Sequence, residues 1–246
     1  MFSSRTELLE KNLLREGERV IRTLNPYPTY KDSGVPWLEA VPEHWEVRRL
    51  RNLVELRVSN VDKHSKEDEL PVRLCNYTDV YKNAEIKADM SFMSATALLD
   101  EIKAFRLQMN DVLITKDSED WKDIGVPSLV TSTSDDLVCG YHLAILRPKE
   151  SLIIGSYLAC SMRSRPVMMQ MNVSANGVTR YGLSHNAIKN IILPVPPIDE
   201  QYSIAKFISR STEKLNKAID NANSEIALIR EFRTRLIADV VTGKVD

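Results

Sequence analysis

The sequence predicts a mixed α/β (α+β) globular body followed by a long C-terminal coiled-coil helix, and three observations lead there. Between Trp37 and about Pro197, short apolar runs alternate with turn-forming residues, the pattern of strands in a sheet. From Asp199 onward no glycine or proline occurs until Gly243, so nothing local interrupts a helix. Across that last stretch apolar residues recur at heptad spacing, the seam of a coiled coil. A chain of 246 residues has room for one large domain, or a smaller one with an extended element.

Taken in order, residues 4 to 24 place Leu9, Leu13, Val20 and Leu24 on one face among charged neighbours, which predicts a short amphipathic helix weakened by Gly17. Two prolines in Asn25-Pro26-Tyr27-Pro28 end it, so residues 1–29 read as an extension ahead of the body. In the body, Val72-Arg73-Leu74-Cys75, Val112-Leu113-Ile114-Thr115, Ser128-Leu129-Val130-Thr131 and Leu143-Ala144-Ile145-Leu146 read as strands. Helices are expected near Ala95 to Ile102 and from Gly155 to Met171, the second interrupted at Pro166, giving a sheet of mainly antiparallel pairing with no internal repeat.

After Pro196-Pro197, Asp199 has the chemistry of a helix N-cap. Taking Ala205 as an a position, the a series is Ala205, Thr212, Ile219, Ile226, Arg233 and Val240, and the d series is Ile208, Leu215, Ala222, Ile229 and Leu236. At 1.5 Å per residue such a helix is roughly 60 Å long. Two helices broken between Ser209 and Thr212 are the alternative. A heptad seam needs a partner helix, which makes Ile208, Leu215, Ile219, Ala222, Ile226, Ile229, Leu236 and Val240 the expected dimerisation residues.

Bulk composition narrows the function classes. Lys plus Arg (33) nearly balance Asp plus Glu (34), for a net charge of -1, so any nucleic-acid surface must be local. Cys75, Cys139 and Cys160 are odd in number and never form a C-x-x-C pair, which argues for free buried thiols over disulfides or a thiolate metal site. The N-terminus is acidic where a signal peptide is apolar and no run is long enough to span a bilayer, so a cytoplasmic location is expected.

Three segments resemble the specificity subunits of type I restriction-modification systems, in a form with one target-recognition domain. The first is Tyr30-Lys31-Asp32-Ser33-Gly34-Val35-Pro36-Trp37-Leu38, continuing through Val41-Pro42-Glu43-His44-Trp45-Glu46-Val47 to Leu50. The second is Asp111-Val112-Leu113-Ile114-Thr115-Lys116-Asp117-Ser118. The third, the most specific, is Leu193-Pro194-Val195-Pro196-Pro197-Ile198-Asp199-Glu200-Gln201 with Ile204-Ala205, and then Arg235-Leu236-Ile237 and Val241-Thr242-Gly243-Lys244.

The resemblance covers roughly residues 30 to 246 and implies a target-recognition domain over 30–197 and a spacer helix over 198–246. It implies a non-catalytic chain that binds double-stranded DNA, docks methyltransferase subunits and joins a restriction (motor nuclease) subunit. S-adenosylmethionine, ATP and Mg2+ would belong to those partners. The family's usual chain carries two recognition domains and two antiparallel spacer helices, and this sequence has one of each. A homodimer packing its helices antiparallel would restore the arrangement and read two inverted half-sites. A truncated longer chain is the alternative, against which the Val241-Thr242-Gly243-Lys244 ending reads as a natural terminus.

Two loops carry the candidate DNA contacts. Asn176, Thr179, Arg180 and Tyr181 flank a flexible Gly177-Val178 and supply amide, hydroxyl, guanidinium and aromatic groups, of which Arg suits a guanine edge and Asn an adenine. Lys116, Ser118, Trp121 and Lys122 follow the central strand, but Asp117, Glu119, Asp120 and Asp123 crowd the same loop and repel phosphate. The four histidines, His44, His64, His142 and His185, lack metal-ligand spacing and read as structural or surface residues, and Trp37 and Trp45 read as core anchors.

Enzyme readings are weaker. Asp79 with Glu85-Ile86-Lys87 has the residue types of a metal-dependent nuclease. In a chain that is 27% charged the pattern recurs by chance, as Glu101-Ile102-Lys103 does. No glycine-rich nucleotide turn, P-loop or Asn-Pro-Pro-Tyr run is present. A coiled-coil adaptor without DNA readout would explain the arm and leave the body without a task.

Overall fold

The structure, a computed structural model, describes residues 25–244. The amphipathic helix expected over 4 to 24 therefore lies outside the described residues. Two compact units divide the chain, and one of them is Tyr27–Ala205.

This body opens with an antiparallel pair, β1 (Tyr30–Asp32) and β2 (Ala40–Pro42). Then come β3 (Glu46–Arg49), a single-turn helix α1 (Leu50–Leu53) and β4 (Val54–Val58). Next are β5 (Leu70–Cys75), α2 (Tyr77–Lys82), β6 (Glu85–Ile86), β7 (Met93–Ala97) and α3 (Leu99–Phe105). The centre holds β8 (Val112–Thr115), β9 (Asp117–Ser118), β10 (Pro127–Val130), β11 (Leu137–Cys139) and β12 (Leu143–Pro148). It closes with α4 (Gly155–Met162), α5 (Arg165–Ser174), β13 (Tyr181–Gly182), α6 (His185–Asn190) and β14 (Ile192–Val195).

A five-stranded sheet of order β4-β12-β8-β10-β6 is the scaffold. All four residues of β8 are buried, as expected of an inner strand covered on both faces. Period-two alternation then splits the core. Val112, Ile114, Ala144 and Leu146 pack with Tyr157, Leu158, Met162 and Met171 of α4 and α5. Leu113, Leu143 and Ile145 point the other way and pack with Cys75, Val80, Leu107 and Cys139. A three-stranded sheet, β11-β5-β7, adjoins this second layer. Among the described residues, strand pairings are antiparallel except β10 with β6 and β11 with β5.

The helix expected near Ala95 to Ile102 is corrected: Met93–Ala97 is a strand, and the helix begins at Leu99. Ala95 and Ala97, good helix formers, are used as small buried residues where β7 pairs with β5, so sheet packing overrides local propensity. Trp37 is also corrected from a core anchor, being 47% exposed, whereas Trp45 is half-buried. All three cysteines are free, with Cys75 and Cys139 buried and Cys160 partly exposed. The break expected around Pro166 falls between α4 and α5, with the proline in the first turn of α5.

The last helix, α7, runs unbroken over Ile198–Val241, 44 residues and so about 66 Å long. There is no interruption at Ser209 to Thr212; the Thr212 hydroxyl donates to the Ile208 carbonyl at 2.8 Å. Asp199 lies inside the first turn with Glu200, and the Gln201 amide bonds the Pro197 carbonyl, so the helix starts one residue before the expected cap.

Within the body unit, the start of α7 is fixed by two side chains. Gln201 is fully buried, accepts the Ile154 amide at 2.9 Å and donates to the carbonyls of Leu152 and Pro196 at 3.0 and 2.9 Å. Glu200 receives Trp45 Nε1–H at 2.9 Å and the Tyr27 hydroxyl at 3.2 Å, and sits 2.6 Å from His44 Nε2. Burial raises the Glu200 carboxyl, but these bonds outweigh it and hold it below its ordinary value. The Pro-Pro-Ile-Asp-Glu-Gln run thus carries the two residues that seat the helix.

Candidate nucleic-acid interface

One end of the five-stranded sheet gathers the connections that carry the candidate residues. The β8–β9 corner, the β11–β12 turn at Gly140 to His142, and the segment from Asn176 to Gly182 meet through main-chain bonds. The Lys116 amide donates to the His142 carbonyl at 3.1 Å, and the Leu183 amide donates to the Lys116 carbonyl at 2.8 Å. β13 then pairs antiparallel with β9, placing Tyr181 opposite Ser118 and Gly182 opposite Asp117. The two loops that the sequence nominates separately therefore form one surface.

The 176–182 loop is closed at its base. Asn176 and Gly182 exchange both main-chain bonds, at 3.1 and 2.9 Å. Gly177 has φ +152, and a Cβ there would stand 1.9 Å from the Arg180 carbonyl oxygen, so only glycine fits the turn. Beyond that base Val178 is 91% exposed, and Asn176, Thr179 and Arg180 are exposed with it. The Asn176 amide donates to the Ser174 carbonyl at 2.9 Å. Tyr181 is half-buried and packs on the first core layer.

Arg180 is held by a charge chain that sequence reasoning missed. His142 Nδ1 is 2.9 Å from Asp117 Oδ2, and Lys116 Nζ donates to the same oxygen at 3.0 Å. Arg180 Nη2 stands 3.3 and 3.4 Å from the two ring nitrogens of His142. An ionised carboxylate only accepts, so Nδ1 carries a proton toward Asp117, and Arg180 Nη2, nearly equidistant from both ring nitrogens, rests over the imidazole ring. Burial raises the Asp117 carboxyl, but the bonds from His142 and Lys116 outweigh it and leave its pKa lowered. The guanidinium is steadied from one side while most of its N–H donors face outward.

The other candidates divide. Ser118 is buried at 5% exposure, and its hydroxyl accepts the Asp120 amide at 3.2 Å, so it shapes the loop from inside. Lys116 is committed to Asp117, as above. Trp121 is 41% exposed with Lys122 Nζ 5.3 Å above its ring. The loop acids are partly occupied: Asp120 accepts the Lys122 amide, and Asp123 accepts the Tyr81 hydroxyl. Tyr81 stacks on Tyr77 at 5.5 Å and 14°, adding an aromatic pair from α2 that nothing in the sequence singles out.

A cleft of about 450 Å³ opens at the foot of the loop, lined by Trp37, Ser174, Asn176, Ser184, Asn186 and Asn190 among others. It explains the exposure of Trp37. Carboxamides, hydroxyls and an indole are groups that hydrogen-bond or stack on nucleobases.

The residues of the nuclease reading have local partners. Asp79 caps α2 by accepting the Asn76 amide at 2.7 Å, and Glu85 pairs with Lys87 at 3.2 Å. Among the described residues no group of three His, Cys, Asp or Glu side chains is placed to hold a metal ion. His44 bonds Glu200, His64 lies 3.4 Å from Asp62, and His185 is exposed at the start of α6.

Of the helix residues expected to mediate self-association, Ile208 and Leu215 are half-buried and Ala222 is exposed. Ile219, Ile226, Ile229, Leu236 and Val240 are 47–60% exposed, and Leu228, Phe232 and Ile237 add apolar surface off the seam. No helix among the described residues is long and apolar enough to cross a membrane.

Comparisons with known proteins bear on this surface. The family described as the type I restriction modification DNA specificity domain matches residues 42–225. A protein of Methanocaldococcus jannaschii assigned as the type I restriction enzyme MjaX specificity subunit is 22% identical over 224 residues, covering 88% of this chain and 50% of its own. The type I restriction enzyme EcoBI specificity subunit of Escherichia coli is 21% identical over 214 residues, 83% of this chain and 43% of its own. The crystal structure of the HsdS subunit from Thermoanaerobacter tengcongensis superposes with a TM-score of 0.54 at 14% identity, over 89% of this chain and 47% of that one. A chain from a structure concerned with complex assembly and conformational transition of the type I R-M system gives 0.57 at 14% identity, over 93% and 54%. These structures share the fold, and this chain spans about half the length of the relatives it matches.

Proposed function

The chain belongs to the family of the type I restriction modification DNA specificity domain, and from that premise we propose that it is a non-catalytic specificity subunit that reads one half-site of duplex DNA. The observation that carries the proposal is the joined surface of β9 and the 176–182 loop, where Arg180 is steadied on His142 with its outer donors free. Base edges are read by such preorganised donors, while lysines and main-chain amides set register on phosphates.

Residues 30–197 serve as the recognition domain and 198–246 as spacer and dimerisation arm. Two copies packing their α7 helices antiparallel bury the exposed seam and present two recognition domains with twofold symmetry. Methyltransferase subunits dock on this chain and a restriction subunit joins them, bringing S-adenosylmethionine, ATP and Mg2+. The assembly works in the cytoplasm, where the DNA is. Weak intrinsic affinity from a chain of net charge -1 is raised when partners add phosphate contacts around the duplex.

The test is selection from random duplex DNA by this chain with its methyltransferase partner. A split, inverted-repeat motif is expected. A split asymmetric motif would mean that a different specificity chain completes the site and would overturn the homodimer. No enrichment would favour the adaptor reading.

A further inference from the structure

Beside the cleft that holds Asn176, a second feature looks outward. Arg49 closes β3 and Arg51 follows in α1, and both guanidiniums converge on one uncharged acceptor. Arg49 Nη1 donates to Asn190 Oδ1 at 2.6 Å, and Arg51 Nη1 donates to the same oxygen at 3.3 Å. The Asn190 amide nitrogen donates to the Asn186 carbonyl at 2.9 Å and its Oδ1 at 2.8 Å, which turns Oδ1 toward the arginines. Lys189, the preceding residue on α6, is exposed and lines a neighbouring cleft with Arg51.

Three cations thus crowd a small area. Among the described residues, none of Arg49, Arg51 or Lys189 is in an ion pair. The nearby acids are engaged elsewhere: Glu46 with Arg48, and Glu55, which lines the same cleft, with Arg57 at 2.8 Å. Like charges held together without a counter-ion repel, and an incoming anion relieves that cost. The scaffold is rigid. β3 pairs with β14, placing Arg49 opposite Ile192, and the Leu50 amide donates to the Ile191 carbonyl at 2.7 Å.

We propose that Arg49, Arg51 and Lys189 form a phosphodiester-docking patch that grips the DNA backbone. This rests on the DNA-reading function above. Continuity with the recognition surface favours DNA over an acidic protein partner, because one cleft is lined by both Asn176 and Asn190. The division of labour is then physical: the loop discriminates bases, and the arginines hold the duplex in register without reading it.

The test uses the full chain assembled with its methyltransferase partner, the triple variant R49Q/R51Q/K189Q, and duplexes with and without the selected site, titrated by fluorescence anisotropy over a series of salt concentrations. Affinity is expected to fall about tenfold or more for both duplexes alike, and the slope of log K against log salt to shrink by about 0.9 for each phosphate that is no longer neutralised. Selectivity and the thermal unfolding midpoint stay as in the wild type. An unchanged slope with intact selectivity overturns the patch alone. A wild-type complex that binds without sequence preference overturns the sequence-reading function while the salt slope still judges the patch. Loss of methyltransferase binding with unchanged DNA affinity of the remaining chain assigns the patch to a protein interface and overturns the proposal.

Discussion

The arm and the recognition surface are stabilised in opposite ways. Beyond the turn seated by Glu200 and Gln201, the main-chain bonds of α7 are local and side-chain contacts such as Lys217 to Glu213 at 2.8 Å lie about one turn apart, while apolar residues lie exposed along it. At the recognition surface the contacts join distant segments, Asp117 with His142 and His142 with Arg180, and the polar groups satisfy one another. The difference is that α7 leaves Ile219, Ile226, Ile229, Leu236 and Val240 about half exposed, whereas the polar groups of the β9–β13 surface are paired with one another. A long helix is marginal in water without packing, so if two copies pair through α7 its stability should depend on concentration and the body's should not. The largest effect expected follows from it. Placing aspartate at both Ile219 and Ile226 should abolish self-association in sedimentation equilibrium, because a charge in a packed seam is left unpaired. A double variant that remains dimeric breaks the comparison.

The body should fail in a different place. Asp111 is fully buried and accepts two bonds from Arg147, from Nε and Nη2, each at 2.8 Å, and a third from the Gln108 amide at 2.8 Å. Asp111→Ala leaves the guanidinium of Arg147, itself largely buried, without its counter-ion. Urea denaturation should show a loss of about 3 to 5 kcal/mol, the range for breaking one side of a buried pair. A loss below about 1 kcal/mol would mean that the body tolerates an unpaired charge as the arm tolerates exposed leucines.

The same contrast decides what is legible in the sequence. The arm can be read almost to the residue because helix periodicity is a local property: only the cap differs, since Glu200 and Gln201 are consumed by contacts from Tyr27, His44, Trp45 and Ile154. The inner strands are equally clear, because burial on both faces demands the unbroken apolar run Val112–Thr115. The stretch from Ala95 reads as helix because alanine says nothing about a sheet neighbour distant in sequence, and β7 takes it instead. For the site, composition nominates Asn176 to Tyr181 and Lys116 to Lys122, but their union through β9 and β13 is a tertiary fact. The only local hint of His142 is its Cys-Gly-Tyr-His turn between two apolar strands, and nothing local marks Arg49, Arg51 and Lys189 as convergent.

A smaller effect separates reading from holding on the recognition surface itself. Arg180→Ala should cost roughly 1 to 3 kcal/mol in binding to the selected site and relax preference at one position, as measured by competition among single-base variants. His142→Ala should weaken the same preference less, since the guanidinium loses its support and keeps its donors. Unchanged selectivity in the arginine variant would remove Arg180 from base readout, and an equal loss on every sequence would make it a phosphate contact.

The smallest effect compares exposed ion pairs in the two regions. In the body, Arg73 holds Asp136 by two bonds, at 2.8 and 3.1 Å, while also reaching the Ala88 carbonyl and the Ser134 hydroxyl. The Arg73 guanidinium and the Ser134 hydroxyl bring the Asp136 carboxyl down from 3.8 to about 2. A carboxyl depressed by folding adds stability that is present above its unfolded value and lost as pH falls from 3.8 toward about 2. Solvent screens this exposed pair, so the stability lost in Asp136→Asn should stay under about 1 kcal/mol at pH 6 and vanish near pH 2. In the arm, the Lys217 hydrogen bond lowers the fully exposed Glu213 carboxyl, but that pair bridges no separate segments. Glu213→Gln should therefore leave the urea midpoint of the body unmoved at every pH, and a shift equal to that of Asp136→Asn would erase the distinction between a cross-linking pair and a decorating one.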